Sequence, residues 1–187
     1  TDLDRNSLMR CRERGFARGV VANGYALPYR DGAFELVCLF DALEHIPDDA
    51  RALREVARVL APGGRVVVSV PAYPFLFANN DRVARHYRRY TRPALRRVLA
   101  GAGFALERNT HTNVFLFPLI LPAVLLLKAK ERLLRQRPDE QSTNLSVRLP
   151  YALHRLLAGV FAAELPFSRR FDWPAGHSIL ALARKPQ

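Results

Sequence analysis

Asp41, Glu44 and His45 form a DxxEH group directly after an apolar run. A neutral imidazole titrates in the range where a hydroxyl can be deprotonated near neutral pH, so His45 is a candidate general base. The alternative is that Glu44 and His45 only support a turn by hydrogen bonding. A second group lies in Tyr73 to Thr91, YPFLFANNDRVARHYRRYT, with Arg82, Arg85, His86, Tyr87, Arg88, Arg89 and Tyr90. Arginine forks can clamp an anion bidentately while an aromatic ring packs its apolar part. Tyr73, Arg85, His86, Tyr87, Arg88, Arg89 and Tyr90 are therefore candidate substrate contacts, with Tyr87 a second candidate catalytic group. The competing reading is a solvated loop whose Tyr rings cover the core.

The stretch Phe34 to Pro71 must position these groups. Leu36 to Phe40 and Val66 to Val70 are short apolar runs suited to strands buried on both faces. Between them, Leu53, Val56, Val59 and Leu60 form a helical stripe, with Pro47 in the first turn and Asp48 and Asp49 near the positive end. Pro62, Gly63 and Gly64 stop the helix. Strand, helix and strand predict a right-handed βαβ unit with parallel strands and ligands beyond their carboxyl ends. Asp41 to Ile46 and Pro71 to Tyr73 fall at that edge.

Ala26 to Pro47, the helix end LAPGGRVVVSVP and GAGF at Gly101 to Phe104 together resemble the class I methyltransferases that use S-adenosylmethionine, especially the small-molecule type. The resemblance implies an α/β, Rossmann-like sheet with S-adenosylmethionine as cofactor. It implies that Asp2, at the end of a strand, binds the ribose, and that Asn23 stands where an Asp usually meets the adenine amino group. Asp2, Leu3, Asn23, Gly24, Asp41, Ala42 and His45 are the expected cofactor contacts, with Asp41 on the methionine side. DxxEH is also similar to the ExxEH metal site of some quinone-biosynthesis O-methyltransferases, which makes Asp41, Glu44 and His45 an alternative metal set beside the expectation of none. HYRRYT resembles a bacterial subgroup in which that motif lies on the substrate side. The family's Gly-rich turn after its first strand is expected before Thr1, so the chain reads as a truncated enzyme that lacks the first strand and binds the cofactor weakly or not at all. Two other classes stay open. A nucleotide-sugar or dinucleotide-binding enzyme would also place an acid at Asp2, but the Tyr-x-x-x-Lys expected of it is missing. A non-catalytic membrane-associated protein would need no crevice of polar groups.

Thr1 to Asp4 reads as a strand end, followed by a helix to Arg14 capped by Asn6 or Ser7. Phe16 to Ala22 reads as a strand, and Thr91 caps a helix with Pro93 in its first turn. Phe104 to Asn109 and Ser178 to Ala183 read as the last two strands. Between them lies a helical insertion, so residues 1–111 and 174–187 are expected to form the Rossmann-like domain and 112–173 the insertion. Val114 to Leu127 carries no charge and is too short to span a bilayer; Lys128, Lys130, Arg132, Arg135 and Arg137 follow it. It suits either a cap over the site or an anchor on anionic lipid. Leu149, Leu153, Leu156, Leu157, Val160 and Phe161 predict an amphipathic helix packed on the first.

The net charge of +12 arises entirely after residue 72, since residues 1–72 carry equal numbers of acidic and basic side chains. An anionic partner is expected there: a small or lipid-linked acceptor, or an anionic membrane surface. The sequence carries no nucleic-acid motif. Cys11 and Cys38 read as buried thiols of a reducing compartment, and the expected location is cytoplasmic, with peripheral contact to the inner membrane face.

Overall fold

The computed structural model describes residues 1–16, 18–133 and 150–187. Its sheet has four strands: β1 (Phe34–Phe40), β2 (Leu60–Pro71), β3 (Ala105–Thr112) and β4 (Ser178–Arg184), in the order β1-β2-β4-β3. β1 and β2 are parallel, joined by α2 (Asp49–Val59) as the spacing predicts. β4 runs antiparallel to both β2 and β3. β3 therefore points the same way as β1 and β2, and Pro71, Ser178 and Thr112 share one row at the carboxyl edge.

The core lies on one face of the sheet. After the short α3 (Asn79–Val83) comes α4 (Arg92–Gly101), which touches α2 there, and Leu53, Val56, Leu95 and Leu99 meet Val66, Val68, Val70, Ile179, Ala181 and Ala183. Alternation along each strand sends every second side chain into this layer. The other face is open: Val67, Leu180 and Leu182 are half-buried, and Leu36, Cys38 and Phe40 of β1 are exposed. Only one side of β1 meets the core, through Phe34, Val37 and Leu39, and β2 alternates buried Val66, Val68 and Val70 with half-buried Val67 and Ser69, so the expected burial on both faces holds for neither strand. For the same reason Cys38 is an exposed free thiol. Cys11 is another, because α1 (Arg5–Glu13) buries no residue.

Several local signals act differently from the sequence reading. Asp4, rather than Asn6 or Ser7, caps α1, accepting from the backbone N–H of both. Asp48 caps α2 by accepting from Arg51 N, which leaves Pro47 just outside the helix. The strands expected at Thr1 to Asp4 and Phe16 to Ala22 reduce to one parallel bridge, Asp2 with Val21; Ala17 lies outside the described residues. Thr91 caps α4 through Ala94 N, with Pro93 in the first turn, as predicted.

Beyond β3 come α5 (Phe117–Leu133), α6 (Tyr151–Ala163) and α7 (Leu165–Ser168). Neither α5 nor α6 buries a single residue, so the expected packing of one on the other produces no core. Arg135, Arg137 and Leu149 lie outside the described residues. The segment after α6 is seated on β3: Arg108 binds Asp172 and the carbonyls of Ser168 and Phe171, and Trp173 N donates to Thr110 Oγ1. At Gly176 an added Cβ would lie 2.5 Å from the Thr112 carbonyl oxygen, so only glycine lets this return segment approach β3.

His111 on β3 is buried, and that burial holds its imidazole pKa below the usual range; Arg92 acts the same way, and the Trp173 backbone opposes both. Since the unfolded chain then binds the proton more readily, this contribution to stability is complete above about pH 6.5 and fades as pH falls through the lower folded value. Thermal melts of the wild type and His111→Gln from pH 8 to pH 5 should show a shallower acid-side decline for the variant. Parallel profiles would contradict this account.

Candidate active site

Four backbone positions at the carboxyl edge take left-handed conformations without being glycine: Asp41 (φ 45°), Tyr73 (φ 62°), Arg85 (φ 59°) and Asn113 (φ 57°). Such residues hold only where their surroundings fix them, and they concentrate at functional sites. Asp41 is fixed by β2, donating its N–H to the Ser69 carbonyl and accepting from Ser69 Oγ at 3.2 Å. Tyr73 is sandwiched between His111 (5.4 Å) and Phe117 (5.5 Å), which ties the start of α5 to the rim. Lys128 donates to the Phe75 carbonyl, and Glu131 meets Arg82 at 3.6 Å, so α5 runs along the loop that follows β2.

The expected cofactor residues are linked through a chain of contacts. Asp2 bridges Val21, and Asn23 opens the next turn, its Oδ1 accepting from Tyr25 N. Tyr25 Oη in turn accepts from Asp48 N, and Arg51 lies over the Tyr25 ring. These contacts bind the Asp2 and Asn23 turns to the segment after Asp41, with Tyr25 and Ser69 as supports that spacing alone did not reveal. Asp2 accepts from Asp4 N at 2.9 Å through one oxygen. Leu3 is exposed, and Gly24 and Ala42 are half-buried.

The basic-aromatic cluster divides. Arg89 is buried and paired with Asp81 at 2.8 Å, Arg88 reaches Asp49 and the Pro47 carbonyl, and Tyr90 donates to Asp49 at 2.7 Å. These three, expected to clamp an anion, are instead held by carboxylates of the chain itself. Burial, then Asp49, pushes the Tyr90 phenol pKa up. His86 bonds Asp81 through Nδ1, while Arg85 and Tyr87 stay exposed. Burial works against the Asp81 charge, yet Arg89 and Ala78 N–H hold its carboxyl below the usual range.

His45 stands edge to face with His86, ring centroids 4.6 Å apart. Desolvation and the neighbouring His86 lower its pKa, so the imidazole is neutral at pH 7 and able to accept a proton. Glu44 is 1% exposed, and neither carboxylate oxygen has a hydrogen-bond partner. Burial, with Asp41 and Asp81 adding to it, pushes its carboxyl up to about 7. Among the described residues, the group close enough to share one ion is Glu44, His45 and His86; Asp41, named in the expected metal set, is not in it.

Residues 1–68 match the family model described as a methyltransferase domain. The chain is 32% identical over 118 residues to the demethylmenaquinone methyltransferase of Mycolicibacterium vanbaalenii, covering 57% of this chain and 48% of that protein. It is 40% identical over 76 residues to a ubiquinone/menaquinone biosynthesis C-methyltransferase of Hahella chejuensis, covering 41% and 29%. Each alignment therefore spans less than half of the relative's length. Similar solved structures include an S-adenosylmethionine-dependent methyltransferase from Mesorhizobium loti (TM-score 0.56, 19% identity, 97% of this chain and 77% of that one). Another is Haemonchus contortus phosphoethanolamine N-methyltransferase 2 with S-adenosyl-L-methionine (TM-score 0.54, 17% identity, 99% and 42%). Residues 1–68 thus carry a methyltransferase-domain match, and the open α/β sheet shares its fold with S-adenosylmethionine-dependent methyltransferases.

Proposed function

We propose that this chain binds S-adenosylmethionine at the carboxyl edge of β1 and serves methyl transfer to a small amphipathic acceptor. The observation that carries the reading is the state of two carboxylates. In a chain with 29 Lys and Arg, Asp2 and Asp41 are exposed and, among the described residues, in no ion pair. Vicinal hydroxyls and an ammonium are the donors such groups accept from, and the cofactor offers both. The bound sulfonium supplies the methyl group and its reactivity.

Asp2 takes the ribose diol, with Leu3 against the nucleoside. Asn23 and Gly24 take the adenine side, where Asn23 Oδ1, which accepts from Tyr25 N, keeps a second lone pair for the adenine amino group. Asp41, steadied by Ser69, and Ala42 take the methionine side. Tyr73, Arg85 and Tyr87 line the acceptor side. Relatives named for quinone biosynthesis, together with the exposed leucines of α5, favour a prenylated ring or another lipid-linked acceptor.

Saturation-transfer NMR with S-adenosylhomocysteine tests the donor site even where affinity is weak. Enhancement of ribose and adenine protons is expected, with Asp2→Ala weakening binding about tenfold or more through loss of a charged hydrogen bond. No transfer at millimolar ligand would refute the reading.

The exposed leucines of α5 and the cations that follow them support contact with an anionic lipid surface. Leu119, Leu125, Leu126 and Leu133 are exposed beside Lys128, Lys130 and Arg132, and no helix among the described residues is long and apolar enough to cross a membrane. The chain should co-sediment with phosphatidylglycerol vesicles and be released as ionic strength rises. Equal sedimentation with phosphatidylcholine alone would remove the electrostatic part of this reading.

A further inference from the structure

Glu44 raises a problem that methyl transfer does not solve. Its carboxyl is enclosed on the inner side of the turn after β1, and both oxygens lack a partner. Buried polar atoms of this kind are rare, since desolvation without a compensating bond is unfavourable. Two imidazoles stand beside it, and one ligand-capable atom from each of Glu44, His45 and His86 lies within 4.8 Å of the others.

The surroundings orient these groups. His86 Nδ1 is engaged by Asp81 Oδ1 at 2.9 Å, which leaves Nε2 as its available nitrogen. Asp81 is itself fixed by Arg89 Nε and Ala78 N. The His45 ring meets backbone groups of Ala84 and Arg85. A carboxylate or carbonyl on the far side of an imidazole is the usual support for a metal-ligating histidine, because it sets the tautomer and the ring plane. The two segments are locked together where Tyr87 N donates to the Glu44 carbonyl at 2.8 Å, and Arg85 takes its left-handed turn between them.

We infer that Glu44, His45 and His86 bind a divalent transition-metal cation, with Asp81 as the support of His86. Two nitrogens and one carboxylate suit Zn²⁺, Co²⁺, Mn²⁺ or Fe²⁺ better than Mg²⁺ or Ca²⁺, and three protein ligands leave positions open for a further ligand. Asp41 is not part of the set. One of its oxygens is engaged by Ser69, and the third ligand comes instead from the distant loop after β2. The site stands independently of cofactor binding and of any methyl acceptor.

The test is titration of the dialysed, full chain with Co²⁺ alone, read by the visible absorption of the bound ion, with Zn²⁺ competition. One equivalent should bind. Asp81→Asn should weaken binding about 10–100-fold, the range for loss of a supporting carboxylate. Glu44→Gln, nearly the same shape as the original and so the safest variant for folding, should weaken it further, as should His45→Ala and His86→Ala. His154→Ala, on an exposed face of α6, should leave it unchanged. Absence of Co²⁺ uptake by the folded chain, or uptake unaltered by Glu44→Gln and His86→Ala, would overturn the assignment. A failure of S-adenosylhomocysteine to bind would leave it standing.

Discussion

Asp81→Asn should lower unfolding stability by about 3–5 kcal/mol, because it removes one partner of a buried ion pair and strands the other. The Asp81 side chain is 1% exposed and that of Arg89 7%, so water cannot replace the lost contact. One carboxylate here holds the Arg89 guanidinium, the His86 ring and the Ala78 N–H at once. The exposed Arg65–Glu107 pair has a similar 2.8 Å contact but 51% and 29% exposure, and Glu107→Gln should change stability by less than about 1 kcal/mol. Denaturant midpoints of the two variants make the comparison. Equal losses would show that burial does not govern these pairs. Adding Arg89→Met to Asp81→Asn should recover part of the loss, since the stranded charge is then gone.

Glu164→Ala should cost about 2–4 kcal/mol through loss of two charge-assisted bonds to half-buried backbone donors. Glu164 is 4% exposed and accepts from Asn113 N at 3.0 Å and Val114 N at 2.6 Å, where the chain leaves β3 in a left-handed turn. It thereby ties the end of α6 to the carboxyl edge of the sheet, beside Tyr73. Hydrogen exchange at Asn113 and Val114 should accelerate in the variant while Val66 to Val70 stay protected. Unchanged exchange at those two amides would refute the role given to Glu164.

The βαβ centre was legible because two periodicities met in one short stretch. The stripe of Leu53, Val56 and Val59 has helical spacing, and Val66, Val68 and Val70 alternate inward on a strand. Capping was only partly legible. Asp4, Asn6 and Ser7 all suit the role, and the winner was decided by which carboxylate could reach two free N–H groups. The paired segments near Asp2 and Val21 read as strands from residue type, yet pairing extends no further than one bridge.

The site was less legible, for a physical reason. HYRRY reads as a free cationic cluster until tertiary structure supplies its counter-charges: Asp49 from α2 for Arg88 and Tyr90, and Asp81 for His86 and Arg89. Asp81 was a signal in plain sight, a carboxylate five residues before His86 and eight before Arg89. The meeting of His45 with His86 had no such signal, because it depends on how the loop after β2 folds back over the turn after β1.

Trp173 is the sole tryptophan, and it sits where the return segment meets β3, its indole N–H on Ser168 Oγ and its ring against Phe115. Ultraviolet emission from this chain therefore reports the docking of α7 on the sheet, while circular dichroism reports the helices and strands as a whole. A solution in which the emission shifts to the red before the ellipticity falls would be one in which the helical lobe has come loose from an intact sheet.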